Sequence, residues 1–310
     1  MNWRALNHTP SALPTPIART PRVSLFRELE TLLHALSLYG AAGITAFGWA
    51  VCHLLDWSAT PWLALWFCAA LLIYNADRLR PDPADLINIP HRAAASLRWR
   101  WLSRAVFAGA AVFLLAWPLF TRDWLTLGLV LGGAFVCLNY SIPLLGFRWK
   151  DVPLLKTFFA PTIVTAAILA LPALHPGPAA GAGTLALTAS SAWSFLLFNM
   201  ILCDLRDVAG DRACGIHSLP VMLGEKGTRW LLAALLLLLE VLALVFAVHA
   251  PEQHRTTWRI AGILGPLHLG SLLIAVRRPR SERFHEWAVE GLLFLPALAI
   301  VMNQVLKTAW

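Results

Sequence analysis

The residues most suited to chemistry are Asp204-Leu205-Arg206-Asp207-Val208-Ala209-Gly210-Asp211-Arg212, which set three aspartates and two arginines where a long apolar segment ends. A second acidic cluster, Asp77, Asp82 and Asp85, follows another apolar segment. Charges beside a membrane span are expensive, so they imply a role. Asp207 and Asp211 are four apart and Asp204 precedes Asp207 by three, so on a helix all three share one face. Magnesium takes oxygen ligands in octahedral geometry and completes its shell with water and substrate phosphate. Two such clusters therefore point to Mg2+ held by Asp77, Asp82, Asp85, Asp204, Asp207 and Asp211, and to a phosphorylated substrate. The competing reading is a solvated helix end neutralised by Arg206 and Arg212. For the first cluster it is a polar loop with Arg78 and Arg80, broken by Pro81 and Pro83.

A bound diphosphate needs cations beyond its metals, and arginine binds phosphate bidentately. Arg78, Arg92, Arg148, Lys150, Lys156 and Arg206 lie on the same side as the aspartates in the topology given below. Membrane orientation alone would also explain each of them. The histidines show no HExxH or paired spacing, and no GxSxG or Walker loop appears. Glu240 and Glu290 lie within or beside apolar runs and are functional candidates without identified partners.

The elements that must position these residues are membrane helices. Of the 310 residues, 58% are hydrophobic and only 14% are charged. A soluble chain carries about 25% charge. The apolar runs approach the length of about 20 residues that spans hydrocarbon. The fold class is all-α: a multi-pass transmembrane bundle of about nine helices, near 34–55, 58–76, 102–120, 124–140, 153–173, 184–203, 229–249, 258–276 and 287–306. Residues 1–33 form a tail in which 25–33 alternate apolar and charged residues, as a helix on the membrane surface does. Residues 34–310 form one transmembrane domain. The loops at 77–101, 141–156, 204–229 and 277–286 are rich in Arg and Lys; those on the other side carry only Arg122, Arg255, Arg259 and Lys307. This asymmetry puts the N-terminus and both acidic clusters in the cytoplasm and the C-terminus on the opposite side. It also accounts for the net charge of +8 without nucleic acid as a partner. The five cysteines are scattered, against a disulfide framework or zinc site.

With these residues in place, the chain resembles the UbiA superfamily of intramembrane prenyltransferases. Asp204 to Gly224, with its trailing Leu219-Pro220-Val221-Met222-Leu223-Gly224, is similar to the family's second aspartate motif. Tyr140-Ser141-Ile142-Pro143 followed by Lys150 is similar to its Tyr-Ser-x-Pro segment. Asn88-Ile89-Pro90-His91-Arg92 anchors the register of the first motif, where Asp85 matches the last aspartate. Asp77 then takes an asparagine position, and Pro81 takes the middle aspartate position with Asp82 one residue late. The resemblance implies Mg2+-dependent transfer of an isoprenyl group from a prenyl diphosphate to a lipophilic, commonly aromatic acceptor within the membrane. It implies the six aspartates as the catalytic metal site. It also implies that Lys150, Arg92, Arg148, Lys156, Arg78, Arg206 and Tyr140 surround the diphosphate, with the prenyl tail in an apolar tunnel open to lipid. The altered first motif supports an alternative, a UbiA-like protein that binds an isoprenoid without turnover. A transporter is disfavoured because the charges gather at span ends rather than at mid-membrane.

Overall fold

A computed structural model of the chain describes residues 25–78, 82–175, 180–250, 252–278 and 280–309; the side chain of Asp77 lies outside what is described. Among the described residues there are helices and no strands. The first elements are α1 (Leu25–Ala35), α2 (Leu38–Leu54), α3 (Leu63–Arg78), and the short α4 (Pro83–Asn88) and α5 (Pro90–Arg98). They are followed by α6 (Arg100–Thr121), α7 (Trp124–Ser141), α8 (Leu155–Ala173), α9 (Ala182–Ala213), α10 (Leu219–His249) and α11 (Glu252–Ala275). The chain ends in α12 (Glu282–Phe284), a π-turn at His285–Val289, a 3-10 turn at Glu290–Phe294, and α13 (Leu295–Ala309).

Among the described residues, seven helices are long and apolar enough to cross a membrane: α6 to α11, and the broken helix Glu282–Thr308. The bent pair α1 and α2 makes an eighth if taken as one span, and Thr60–Ala76 is a shorter apolar helix, so the count is close to the expected nine. The protein is thus an integral membrane protein, since these faces leave Phe120, Trp230, Leu244 and Leu267 exposed at their surface where only lipid can cover them. The buried core runs through α2, α3 and α9, where Phe198, Ile201 and Leu202 have no exposed surface.

Two elements differ from the sequence expectation. The sixth span does not stop at 203: α9 continues as helix to Ala213, so all three aspartates lie on it. Nothing in Asp204–Ala213 breaks a helix except Gly210, whose cost there is only about 1 kcal/mol. The segment 77–101, expected to be a loop, holds two short helices, α4 and α5, each begun by a proline in the first turn, where proline is tolerated.

Helix α1 meets α2 at a 61° bend. Its apolar face, Leu25, Phe26, Leu29 and Leu33, is exposed. On either side of that face, Glu28 pairs with Arg98 at 3.0 Å and Glu30 with Arg283 at 2.5 Å, strapping α1 to the bundle. Arg78 donates to the carbonyls of His34 and Ala35, which end α1.

The two acidic segments meet at a glycine. A Cβ on Gly210 would lie 2.4 Å from the Ala84 carbonyl oxygen and 2.6 Å from Asn88 Nδ2. The Gly210 N–H donates to Asn88 Oδ1 at 2.7 Å. Short helix α4 thus rests directly on α9 at the only residue type that permits it. Gly224, by contrast, has φ 68° and breaks α10 where the Leu-Pro-x-x-Leu-Gly segment ends. We predict that Gly210→Val, forcing α4 off α9, costs about 1–3 kcal/mol and lowers the thermal midpoint in detergent. Gly132→Ala, where a Cβ meets nothing within 4 Å, leaves the midpoint unchanged or raises it.

Candidate active site at the acidic end of the bundle

Asp204, Asp207 and Asp211 recur on one stripe of α9, and α8 packs against that stripe. Asp204 and Asp211 are buried, at 1% and 0% exposure. Lys156 Nζ lies 2.6 Å from both Asp211 oxygens and 3.5 Å from Asp204 Oδ1, bridging two carboxylates two turns apart. The Thr157 hydroxyl donates to Asp204 Oδ2 at 2.5 Å and accepts from the Leu219 N–H at 3.1 Å. One threonine therefore ties α8, α9 and α10 together. Asp207 is held by its neighbour Arg206, with Nε to Oδ1 at 2.7 Å and Nη2 to Oδ2 at 3.2 Å. Arg212 is exposed.

The first cluster is organised by α4. Asp82 is its N-cap: Oδ1 accepts from the Ala84 N–H at 3.0 Å, and Pro83 occupies the first helical position. The other carboxylate oxygen meets Lys150 Nζ at 2.8 Å and Arg148 Nη1 at 3.1 Å. Arg148 also pairs with Asp151 at 2.7 Å. Burial pushes the Asp82 carboxyl up, but Lys150, the Ala84 N–H and Arg148 outweigh it and hold the group below the usual carboxylate range. Asp85 lies in the first turn of α4, half-buried, one residue from the Gly210 contact. Asp77 lies in the last turn of α3. Lys150 also stands 6.0 Å over the Tyr140 ring, which stacks on Phe159.

The C-terminal span completes the site. Glu290 meets Arg92 at 2.5 Å, and both are largely buried. Burial alone would lower the affinity of the Arg92 guanidinium for its proton; Glu290 reverses this and holds it firmly charged. Glu282 accepts from the N–H groups of His91 and Arg92, both at 3.1 Å, and so caps α5 from across the bundle. Glu290 sits where the π-turn meets the 3-10 turn, a helix irregularity common at functional sites.

The fold thus brings Lys150, Arg148, Lys156, Arg92 and Arg206 onto carboxylates of one end of the bundle. Arg78 is engaged with α1. Among the described residues, no three His, Cys, Asp or Glu side chains already converge as a metal site. The oxygen-only donor set still suits a hard cation, and the two acidic segments touch at Gly210. Thr157 and Glu282 carried no motif signal; only the Pro90 start of α5, with no side-chain cap of its own, hinted that a cap must come from elsewhere. Sequence had flagged Glu290 without a partner.

Fold and site together define a membrane-embedded helical bundle with an acidic stripe and a cationic collar at one end. The model of the UbiA prenyltransferase family matches residues 83–295, and the chain belongs to that family. Solved structures agree in fold. A UbiA homolog from Aeropyrum pernix K1, in its apo form, is 14% identical with TM-score 0.54, covering 86% of this chain and 98% of that one. A UbiA homolog from Archaeoglobus fulgidus, solved with DMAPP and Mg2+, is 14% identical with TM-score 0.57, covering 88% and 99%. The same homolog has been solved with GPP and Mg2+. No curated protein sequence matches the chain.

Two predictions follow from the pairing. Lys156→Met strands two buried carboxylates and destabilises the protein by about 3–5 kcal/mol; adding Asp211→Asn recovers part of the loss, read as detergent thermal midpoints in a double-mutant cycle. Asp82 has a depressed affinity for its proton in the fold, so its contribution is complete above the unfolded carboxylate range, about pH 4, and is lost as pH falls through the folded value. The difference in midpoint between wild type and Asp82→Asn is therefore largest near neutrality and shrinks below about pH 4.

Proposed function

We propose that this protein transfers an isoprenyl group from a prenyl diphosphate to a lipophilic, aromatic acceptor within the membrane. The observation that carries the reading is the apolar cavity that lies beneath the charged end. It measures about 250 Å3 and is walled by α3, α6, α7 and α8. Ile73 and Cys137 line it. They precede Asp77 and Tyr140 by four and three residues, about 6 and 5 Å along α3 and α7. Its walls are hydrocarbon and small residues, including Gly133, Ala134, Ala166 and Ala170. An isoprenyl chain needs such a lining, and its diphosphate needs the cations above it.

The aspartates of both segments, Asp77, Asp82, Asp85, Asp204, Asp207 and Asp211, are the residues that would hold magnesium. The chemistry a magnesium ion supplies when bound is charge neutralisation on the departing diphosphate. Lys156, Lys150, Arg148, Arg92 and Arg206 are paired with carboxylates in this structure; a diphosphate offers them stronger acceptors, and bidentate ones for the arginines. Their preorganised positions favour the leaving group as its charge develops. Tyr140, between Lys150 and Phe159, lies about one helical turn beyond the cavity residue Cys137 and would sit beside a bound diphosphate. The apolar walls limit water, which would otherwise quench an allylic cation before the acceptor's carbon attacks it.

The excess of Arg and Lys at this end supports a cytoplasmic position for it, with the N-terminus on the same side and the C-terminus opposite. Residues 34–310 act as one transmembrane domain behind the 1–33 tail. A second reading is favoured by one observation: Asp82, Asp204, Asp207 and Asp211 each already meet a cationic side chain. A protein so neutralised would bind an isoprenoid without turning it over.

Purified protein in nanodiscs, titrated with geranyl, farnesyl and geranylgeranyl diphosphate, separates the two. Magnesium-dependent diphosphate release in the presence of an acceptor panel is expected, with Asp207→Asn and Asp85→Asn each lowering it at least about a hundredfold. Equal residual rates in wild type and both variants would sink the metal assignment, and binding without release would favour the second reading.

A further inference from the structure

The bundle holds a second cavity, far from the acidic end. It measures about 120 Å3 and lies between α2, α9, α10, α11 and α13. Three of its lining residues, Thr188, Ser191 and Glu240, have a buried side-chain oxygen with no hydrogen-bond partner among the described residues. They are Thr188 Oγ1, Ser191 Oγ and Glu240 Oε2. A fourth polar residue of the wall, Thr257, is satisfied: its hydroxyl accepts from Asn303 at 2.9 Å. The remaining wall is apolar and aromatic. Phe47 and Phe195 stack at 5.5 Å, and Trp258 lies flat on Phe246 at 3.9 Å between centroids.

Buried polar groups in native proteins are paired, and each exception calls for an explanation. An unpaired hydroxyl or carboxyl buried in the fold costs about 1–3 kcal/mol, more when charged. A carboxyl inside a membrane span adds to that cost and marks a functional site by default. What sets these three apart is that they line one cavity, so a single hydroxyl-bearing occupant can pair with them. The hydroxyls of Thr188 and Ser191 can accept or donate, and Glu240 offers an acceptor. Size limits the occupant: an apolar cavity of about 150 Å3 takes one benzene ring.

We propose that this cavity binds a lipophilic molecule through a single-ring, hydroxyl-bearing end, a phenol in chemical class. The ring fills the aromatic part of the wall, and its hydroxyl donates to Glu240 and meets Thr188 and Ser191. The site is separate from the acidic end. Ser191 and Asp204 are thirteen residues apart on α9, which is about 20 Å along the helix. Glu240 lies nine residues before His249, in the half of α10 away from Leu219. The proposal does not depend on the activity assigned above.

Ligand-observed fluorine NMR tests it, with the full chain in nanodiscs and 4-fluorophenol as probe. The control probe is 4-fluoroanisole, which has the ring and the oxygen but no donor. Saturable binding of the phenol, at least about tenfold tighter than the anisole, is expected. Glu240→Leu should bring the phenol to the level of the anisole. Should that variant not fold, Thr188→Val/Ser191→Ala, which keeps the shapes, should weaken the phenol several-fold and leave the anisole alone. Asp207→Asn should change neither. Equal affinity of the two probes for the wild-type protein overturns the proposal, as does non-saturable uptake matching that of protein-free nanodiscs.

Discussion

The structure depends on the pairing of charges that the fold removes from water. An isolated ion inside a protein costs several kcal/mol, and removing one partner of a buried pair exposes that cost in full. At one end of this bundle, cations from four segments answer carboxylates from three, with α9 supplying both kinds. Lys156 serves Asp204 and Asp211, Arg206 serves Asp207, Lys150 and Arg148 serve Asp82, and Arg92 serves Glu290. These pairs fix how α4, α5, α8, α9 and the C-terminal span meet. Pairs of this kind are weak sources of net stability, yet strongly specify geometry when complete.

The same pairs prepare the site for a polyanion. A lysine between two carboxylates is held charged and in place, so little reorganisation separates the apo protein from one whose cations face phosphate. Gly210 provides the other half of the preparation. Without a side chain there, α4 can lie on α9, and the acidic residues of two distant segments share one end of the bundle. Glu282 reaches across to cap α5, which fixes Arg92 beside Glu290.

Beneath this end, the apolar bundle divides into two unlike spaces. The larger, among α3, α6, α7 and α8, is lined by hydrocarbon and begins a turn below the charges. The smaller, among α2, α9, α10, α11 and α13, is walled by aromatic rings and carries unpaired oxygens. Helix α9 borders only the second of these and bears the aspartate stripe beyond it. A long, largely buried helix thus links an ionic end to an apolar middle without contributing charge to the lipid face.

Much of this was legible in the residues themselves. The apolar runs announced a bundle of membrane helices, of which the structure shows seven, or eight with the bent α1–α2 pair, against the expected nine, because spanning hydrocarbon requires about 20 apolar residues and every backbone group must be satisfied within the helix. The spacing of Asp204, Asp207 and Asp211 announced a single stripe, because the rise and turn of a helix are local and fixed. Pro83, expected to break a polar loop, and Pro90 instead start the short helices α4 and α5. What the sequence left open was which charge meets which. Arg212 stood as near to the stripe in sequence as Arg206, yet is exposed, while Lys156 arrives from another helix altogether. Asp82 looked like a displaced ligand and is also the N-cap of α4, held by Lys150 and Arg148. Thr157, Glu282 and the partner of Glu290 left no periodic trace. Helical periodicity is written into neighbouring residues, whereas the pairing of buried ions depends on how helices far apart in the chain pack, and only the tertiary structure decides that.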